Sequence, residues 1–309
     1  MQLFRLPNVL MIILTQVLLR YCIVLPFLYS DAPDAISPLP DFLILVAVTV
    51  FIAMGGYVIN DYFDQKTDSI NRPEKQVVNR TISGRTAMRI YLILNGMAIL
   101  LGFYLAWRIH TLTIALVFPF ISALLYIYSA RYKRELFRGN FIVAVLSACV
   151  ILIVWLFEFF WMRLNAMQFV SVLAGIHWVT YVFLAYALFA FLVSMVREII
   201  KDMEDTQGDA VAGCKTLPLV FGITVSGYVA GAVLLIMVIL LGFVQIVLSR
   251  FGLYAVLWYF AGTVQSGALF VILRLIQSKD KRDFHLLSNL CKMIMLAGIL
   301  SMVVVFFTH

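Results

Sequence analysis

Apolar runs of membrane-crossing length recur along this chain, separated by short polar stretches. A helix needs roughly 20 predominantly apolar residues to cross a bilayer. The pattern predicts nine such spans, over about 8–29, 42–60, 87–107, 111–130, 140–160, 171–196, 219–248, 253–273 and 287–308. The expected fold class is therefore all-α: a single polytopic membrane domain over residues 1–309. The first run is long and lacks a small-residue cleavage site, so it reads as a span rather than a cleaved leader. Two polar interruptions are unlike the rest. The second span runs into Asn60-Asp61-Tyr62-Phe63-Asp64-Gln65-Lys66-Thr67-Asp68, and the sixth runs into Asp202-Met203-Glu204-Asp205-Thr206-Gln207-Gly208-Asp209. In both, aspartates stand at i, i+3 and i+7, so a continuing helix would carry all three on one face.

Charge fixes an orientation. With the amino terminus in the cytoplasm, the connections over 61–86, 131–139, 197–218 and 274–286 lie inside and hold 16 Lys and Arg. The opposite connections hold only Arg108, Arg163 and Arg250. This asymmetry follows the positive-inside rule and puts the amino terminus and both acidic clusters on the cytoplasmic side. The formal net charge of +7 is thereby explained first as topology, and no motif supports a nucleic-acid partner. The four cysteines and four histidines are scattered, without a CxxC pair, which suggests neither a disulfide framework nor a thiolate or zinc site.

Three features within the spans qualify this picture. Gly55-Gly56 in the second span would let a neighbouring helix approach closely. Arg20 sits well inside the first apolar run, where a charge should face the bundle interior. It reads equally as a structural partner of a buried acid or as a substrate residue. Glu158, in Phe157-Glu158-Phe159-Phe160-Trp161, reads as a solvated acid in an external aromatic belt.

Carboxylates at membrane-helix ends mark an ion or substrate site. Six aspartates call for a hard divalent cation, and Mg2+ takes oxygen ligands while leaving positions that substrate phosphates fill. The spacing is not that of an EF-hand. A diphosphate bridging two metal-bearing clusters, with two Mg2+ ions in all, accounts for there being two clusters and for the Lys and Arg around them. An apolar chain on that diphosphate would lie between membrane helices, and aromatic faces would shelter an allylic cation.

The paired signatures Asn60-Asp61-x-x-Asp64-x-x-x-Asp68 and Asp202-x-x-Asp205-x-x-x-Asp209 resemble those of the UbiA-type intramembrane prenyltransferases. The similarity continues through Asn71-Arg72-Pro73, Ser83-Gly84-Arg85, Tyr128 to Lys133, Gly139-Asn140 and Lys215-Thr216, and so covers essentially the whole chain. Within the family, Arg197-Glu198-Ile199-Ile200-Lys201-Asp202-Met203-Glu204-Asp205 with Lys215-Thr216-Leu217-Pro218 most resembles the branch that makes digeranylgeranylglyceryl phosphate. The resemblance implies Mg2+-dependent transfer of a geranylgeranyl group from its diphosphate to the hydroxyl of geranylgeranylglyceryl phosphate. The product would be an ether lipid, made in a prokaryotic cell membrane with no obligate protein partner. It assigns metal binding to Asp61, Asp64, Asp68, Asp202, Asp205 and Asp209, and catalysis to Asp61, Asp64, Asp205 and Asp209. Substrate contacts fall to Asn60, Arg72, Tyr128, Lys133, Arg197, Lys201 and Lys215, with Arg20 as a further anion site for the acceptor. Members of that branch usually follow Asn-x-Pro with a basic residue and Pro-Ile-Pro-Ser-Gly. Here Glu74-Lys75-Gln76-Val77-Val78-Asn79-Arg80-Thr81-Ile82-Ser83-Gly84 keeps Lys75 and Ser-Gly but has lost the prolines.

Two other readings stand beside this one. The same chemistry could serve an aromatic acid, a quinone precursor or a tetrapyrrole. A cation-coupled transporter would also use intramembrane carboxylates, but near the bilayer midplane and often on broken helices.

Overall fold

The computed structural model describes the chain except residues 1, 2, 31–34, 72, 279 and 309, and the side chains of Lys75, Gln168, Ser171 and Ala174. Apart from one bridge between Val78 and Ile82, its regular structure is helical among the described residues. In chain order the helices are α1 (Leu6–Leu28), α2 (Leu39–Phe63), α3 (Gln65–Asn71), α4 (Gly84–Arg108), α5 (Leu112–Ala130), α6 (Arg138–Met162), α7 (Ala166–Glu204), α8 (Thr206–Val211), α9 (Leu217–Arg250), α10 (Tyr254–Gln277) and α11 (Lys281–Thr308). Among the described residues, nine are long and apolar enough to cross a membrane; α3 and α8 are the short exceptions. All nine expected spans are therefore present.

Several boundaries move outward, most of all in the sixth span. The expected end at 196 marks where charges first interrupt the apolar run, yet α7 continues to Glu204, with Ile199, Ile200 and Met203 buried in the core. Its last two turns stay helical because their charges are paired along the helix, Glu198 accepting from both Arg197 and Lys201. Hydropathy registers the change of composition but not the i, i+3 pairing that carries the helix on. Within α1, the stretch Leu19–Val24 widens into a π-helix. The Leu25 N–H reaches back five residues to the Arg20 carbonyl. Pro26 supplies the cause, because its ring crowds the carbonyl four residues before it.

Contacts divide the described chain into two units. The first comprises Met1–Arg20, Val24–Lys133 and Val150–Phe183. Here α2 packs lengthwise on α4, and α5 packs on both. Lipid tails are as apolar as the side chains, so helix association in a bilayer relies on close packing rather than on water exclusion. A Cβ on Gly55 would lie 2.3 Å from the Asn95 amide nitrogen, and one on Gly102 would lie 2.3 Å from Cδ2 of Phe118. Only glycine permits these approaches. Ion pairs tie the helix ends: Arg5 to Asp61 at one end, and Arg108 to Asp41 at the other.

The second unit comprises Tyr21–Ile23, Arg134–Cys149 and Leu184–His309. Its core gathers Val196, Ile199, Ile200 and Met203 of α7 with Leu234 and Met237 of α9, Ala268 and Val271 of α10, and Leu287 and Cys291 of α11. Inside α9, Gly222 adopts φ 85°, a conformation that bends the helix and that L side chains rarely take.

Candidate active site

The first aspartate cluster sits on a broken helix. The α2 helix ends at Phe63, Asp64 takes φ −89° and ψ 4°, and α3 begins at Gln65. That region of backbone space is sparsely populated and common among active-site residues. Helix-like bonding survives the break, since Asp64 N–H donates to Asn60 O at 2.9 Å and Asp68 N–H donates to Asp64 O at 2.8 Å. The three carboxylates therefore remain on consecutive turns, but on a kinked helix rather than the continuous one expected.

The charges of Asp61 and Asp64 are answered from elsewhere in the first unit. Arg5 donates to Asp61 at 2.8 Å and lies over the Tyr57 ring. Lys133 and the Asn60 amide both donate to Asp64 Oδ2. Asp64 is buried. Burial works against the charge on Lys133, but Asp64, then Tyr128 and Asp68, outweigh it and hold the ammonium above its usual range. Burial, followed by the like charges of Asp64 and Asp61, pushes the Asp68 carboxyl up to about 6.

The connection behind this cluster is built without the prolines. Thr81 N–H donates to Val77 O, Asn79 N–H donates to Ile82 O, and the Arg80 guanidinium caps the Pro73 carbonyl. Val78 packs into a small core with Val58, Ile59 and Tyr91. Ser83 then caps α4 by accepting from Thr86 N–H at 3.2 Å. A Cβ on Gly84 would stand 3.3 Å from the Tyr62 ring, so the Ser-Gly pair both starts α4 and lets it close on the aspartate turn.

The second cluster repeats the break at the equivalent place. The α7 helix ends at Glu204, Asp205 takes φ −100° and ψ 9°, and α8 carries Asp209. Asp205 N–H donates to Lys201 O at 2.9 Å, and Asp209 N–H donates to Asp205 O at 3.1 Å. The two breaks fall on the middle aspartate each time, 141 residues apart, the same offset that relates the flanking pairs. Asn140 donates to Asp202 at 2.8 Å, and His285 Nδ1 meets Glu204 at 3.0 Å. Lys201 and Arg197 both engage Glu198, while Lys215 is exposed and anchored through its backbone to Arg134 O.

Of the residues expected to form the site, Asn60, Asp61, Asp64, Asp68, Tyr128 and Lys133 are neighbours in the first unit, and Arg197, Lys201, Asp202, Asp205, Asp209 and Lys215 belong to the second. Arg72 lies outside the described residues. Arg20 is placed elsewhere. Its Nη1 donates to Glu158 at 2.8 Å and to Ser37 Oγ at 2.7 Å, and its guanidinium stacks over Phe42. Arg20 is 15 residues from Arg5, roughly 22 Å along the helix axis, at the end marked by Asp41 rather than by Asp61. The reading of Glu158 as a solvated acid is thus corrected: it is fully buried, and it balances Arg20. Arg5, Asn140 and Glu198 had no assigned role in the sequence. Asn140 and Glu198 carried a signal, within the Gly139-Asn140 similarity and the Arg197–Asp205 stretch; Arg5 carried none.

Among the described residues, no three His, Cys, Asp or Glu side chains converge closely enough to hold a metal ion by themselves. The donor set nevertheless fits a hard cation, being all oxygen and carried on consecutive turns. Ions of this kind in phosphate sites are held by one or two carboxylates, and phosphate oxygens and water complete the shell.

Known proteins resemble this chain in sequence and in fold. The digeranylgeranylglyceryl phosphate synthase of Methanothermobacter thermautotrophicus is 38% identical over 198 residues, which span 63% of this chain and 62% of that protein. The match thus covers a little less than two thirds of that relative's length. A solved structure of a digeranylgeranylglyceryl phosphate synthase superposes with a TM-score of 0.65 at 21% identity, over 100% of this chain and 97% of its own. A UbiA homologue from Archaeoglobus fulgidus, solved with GPP and Mg2+, superposes at 0.56 with 15% identity, over 98% of each chain. At these identities the structural likeness is one of fold. The description of the UbiA prenyltransferase family matches residues 22–291, and this chain belongs to that family.

Proposed function

We propose that this protein transfers a geranylgeranyl group from its diphosphate to the free hydroxyl of geranylgeranylglyceryl phosphate. The allylic C–O bond to diphosphate breaks, an ether C–O bond forms, and the hydroxyl proton is released with the diphosphate. The observation that carries the reading is the pair of Asp-x-x-Asp-x-x-x-Asp clusters, each breaking a membrane helix at its middle aspartate. The synthase relative and the Mg2+- and GPP-bound homologue support the choice of lipid and ion.

In this reading carboxylates from Asp61, Asp64 and Asp68 would hold one Mg2+ and carboxylates from Asp202, Asp205 and Asp209 another, one or two to each ion, with diphosphate oxygens and water as the remaining ligands. When bound, Mg2+ supplies positive charge against the negative charge that develops on the departing diphosphate. Lys133, already directed at Asp64, neutralises that charge further, with Arg72 as a second base from the connection that carries the first aspartates. Tyr128, buried beside Lys133, offers an aromatic face to the allylic carbon. The amino terminus and both clusters lie on the cytoplasmic side of a prokaryotic membrane, in keeping with the distribution of Lys and Arg.

The test uses purified protein with geranylgeranyl diphosphate and Mg2+ against glyceryl-phosphate, aromatic-acid, quinone-type and tetrapyrrole acceptors, with products identified by mass. The expected product is the diether phosphate. Asp64→Ala and Asp205→Ala should each slow its formation by about 100-fold or more, and EDTA should abolish it. Diphosphate release from both variants at the wild-type rate would overturn the mechanism. A prenylated aromatic product would reassign the acceptor.

A further inference from the structure

One turn before Asp202, α7 carries a charge arrangement that topology does not require. Arg197 and Lys201 stand at i and i+4, where like charges repel. Glu198 separates them: its Oε1 accepts from Arg197 Nη1 at 2.7 Å and its Oε2 accepts from Lys201 Nζ at 3.0 Å. The side chains of Arg197, Lys201 and Glu198 are 18%, 21% and 9% exposed. A positive-inside charge needs no such partner, since it can extend into water. A carboxylate this buried is costly unless its oxygens are satisfied. Here it holds two cations side by side. The cluster nevertheless leaves a donor over, because Arg197 Nε is buried and meets no hydrogen-bond acceptor among the described residues. Glu198 takes Nη1, so the Nε edge of the guanidinium fork is not engaged by it. That edge is the one that grips a phosphate through two parallel hydrogen bonds.

The position matches one substrate. Five residues separate Arg197 from Asp202 in continuous helix, about 7.5 Å along the axis. In the reaction proposed above, the acceptor hydroxyl must come within about 3–3.5 Å of the allylic carbon, and that carbon is bonded to the diphosphate. The hydroxyl and the acceptor's own phosphate share one three-carbon glycerol. The acceptor phosphate must therefore bind within one or two helical turns of the aspartates, and on cations that the diphosphate does not occupy. We propose that Arg197 and Lys201, held in register by Glu198, form the subsite for the acceptor's phosphate monoester. Arginine supplies the bidentate edge and lysine the point charge. This subsite deepens the proposed function and rests on it.

The experiment compares wild type, Arg197→Gln, Arg197→Lys and Lys201→Gln. It measures KM for geranylgeranyl diphosphate, KM for the acceptor, and the ratio of kcat/KM for the phosphorylated over the dephosphorylated acceptor. Arg197→Gln should raise the acceptor KM by 10-fold or more and change the donor KM by less than about two-fold. The preference for phosphorylated acceptor should collapse by a similar factor. Arg197→Lys should restore part of it, because charge returns without the fork. Lys201→Gln should repeat the pattern more weakly, and it carries the test alone if Arg197→Gln does not fold. An unchanged preference in both Gln variants would overturn the subsite, as would an equal rise in both KM values, which would place the pair on the diphosphate. Failure of the wild type to use any glyceryl phosphate sinks the parent function and the subsite with it, and shows in the wild type alone.

Discussion

The Arg20–Glu158 pair makes a prediction about stability that separates a structural charge from a substrate ligand. Arg20 is 3% exposed and Glu158 fully buried, and Ser37 links them by donating to Glu158 Oε1 at 2.6 Å while accepting from Arg20. Removing one member of a buried pair typically costs about 3–5 kcal/mol, because the other charge is left without its partner. The two truncations should not be equal. In Glu158→Leu the guanidinium stays charged, since it cannot release its proton, and the loss should reach about 4 kcal/mol. In Arg20→Leu the carboxyl keeps both Ser37 donors and can take up a proton, so the loss should be smaller, about 2 kcal/mol. The double Leu variant removes both charges and should lie within about 1 kcal/mol of wild type. Denaturant unfolding of the purified protein in mixed micelles, followed by tryptophan fluorescence, reads all three. A double variant as unstable as the sum of the singles would refute the pairing argument. A double variant of restored stability whose acceptor KM has risen 10-fold would return Arg20 to the substrate.

Two smaller tests address the first unit. Gly102→Ala places a methyl 2.3 Å from Phe118 Cδ2; it should lower stability by about 1–3 kcal/mol, and Phe118→Leu should recover part of that in the same unfolding assay. Ser83→Ala removes the acceptor for Thr86 N–H and should cost about 1 kcal/mol; it should also quicken hydrogen exchange at Thr86, and unchanged exchange there would show that the cap is not holding the first turn of α4.

How much of this was legible in the sequence depends on the range of the interaction. Spans are properties of single segments, and all nine were read, most to within a few residues; the exceptions are α7, which runs on to Glu204, and α11, which starts at Lys281 rather than at 287. The aspartate spacing was equally local. The break at its centre was not, because Asp64 and Asp205 are ordinary residues in an i, i+3, i+7 pattern and nothing in that pattern marks a kink. Partners were the least legible. Arg5 reaches Asp61 across 56 residues, and Arg20 reaches Glu158 across 138. Composition assigned Glu158 to water; that was sound for an isolated residue, and it failed because a burial site and a partner arrive only with the fold.

The two clusters share a backbone but not a way of balancing charge, and the difference bears on what each can do. At the first, the counter-charges come from outside the helix: Arg5 precedes α1 and Lys133 follows α5. Such partners can leave without disturbing the aspartate turn, and a cation that displaced them would free both bases for an arriving anion. At the second, Arg197 and Lys201 lie on the helix that bears Asp202, and Glu198 fixes them there. Their separation from the aspartates is set by helix rise, about 1.5 Å per residue, and cannot adapt to the ligand. A diphosphate departs as product, so mobile bases suit it. An acceptor whose hydroxyl must be aimed at one carbon gains more from cations at a fixed distance. If this division holds, lengthening α7 by one alanine between Lys201 and Asp202 should cost more in acceptor turnover than in donor affinity. The insertion rotates the Arg197–Lys201 face by about 100° relative to the aspartates while leaving the first cluster untouched. Equal losses for donor and acceptor would show that the two clusters handle their ligands alike.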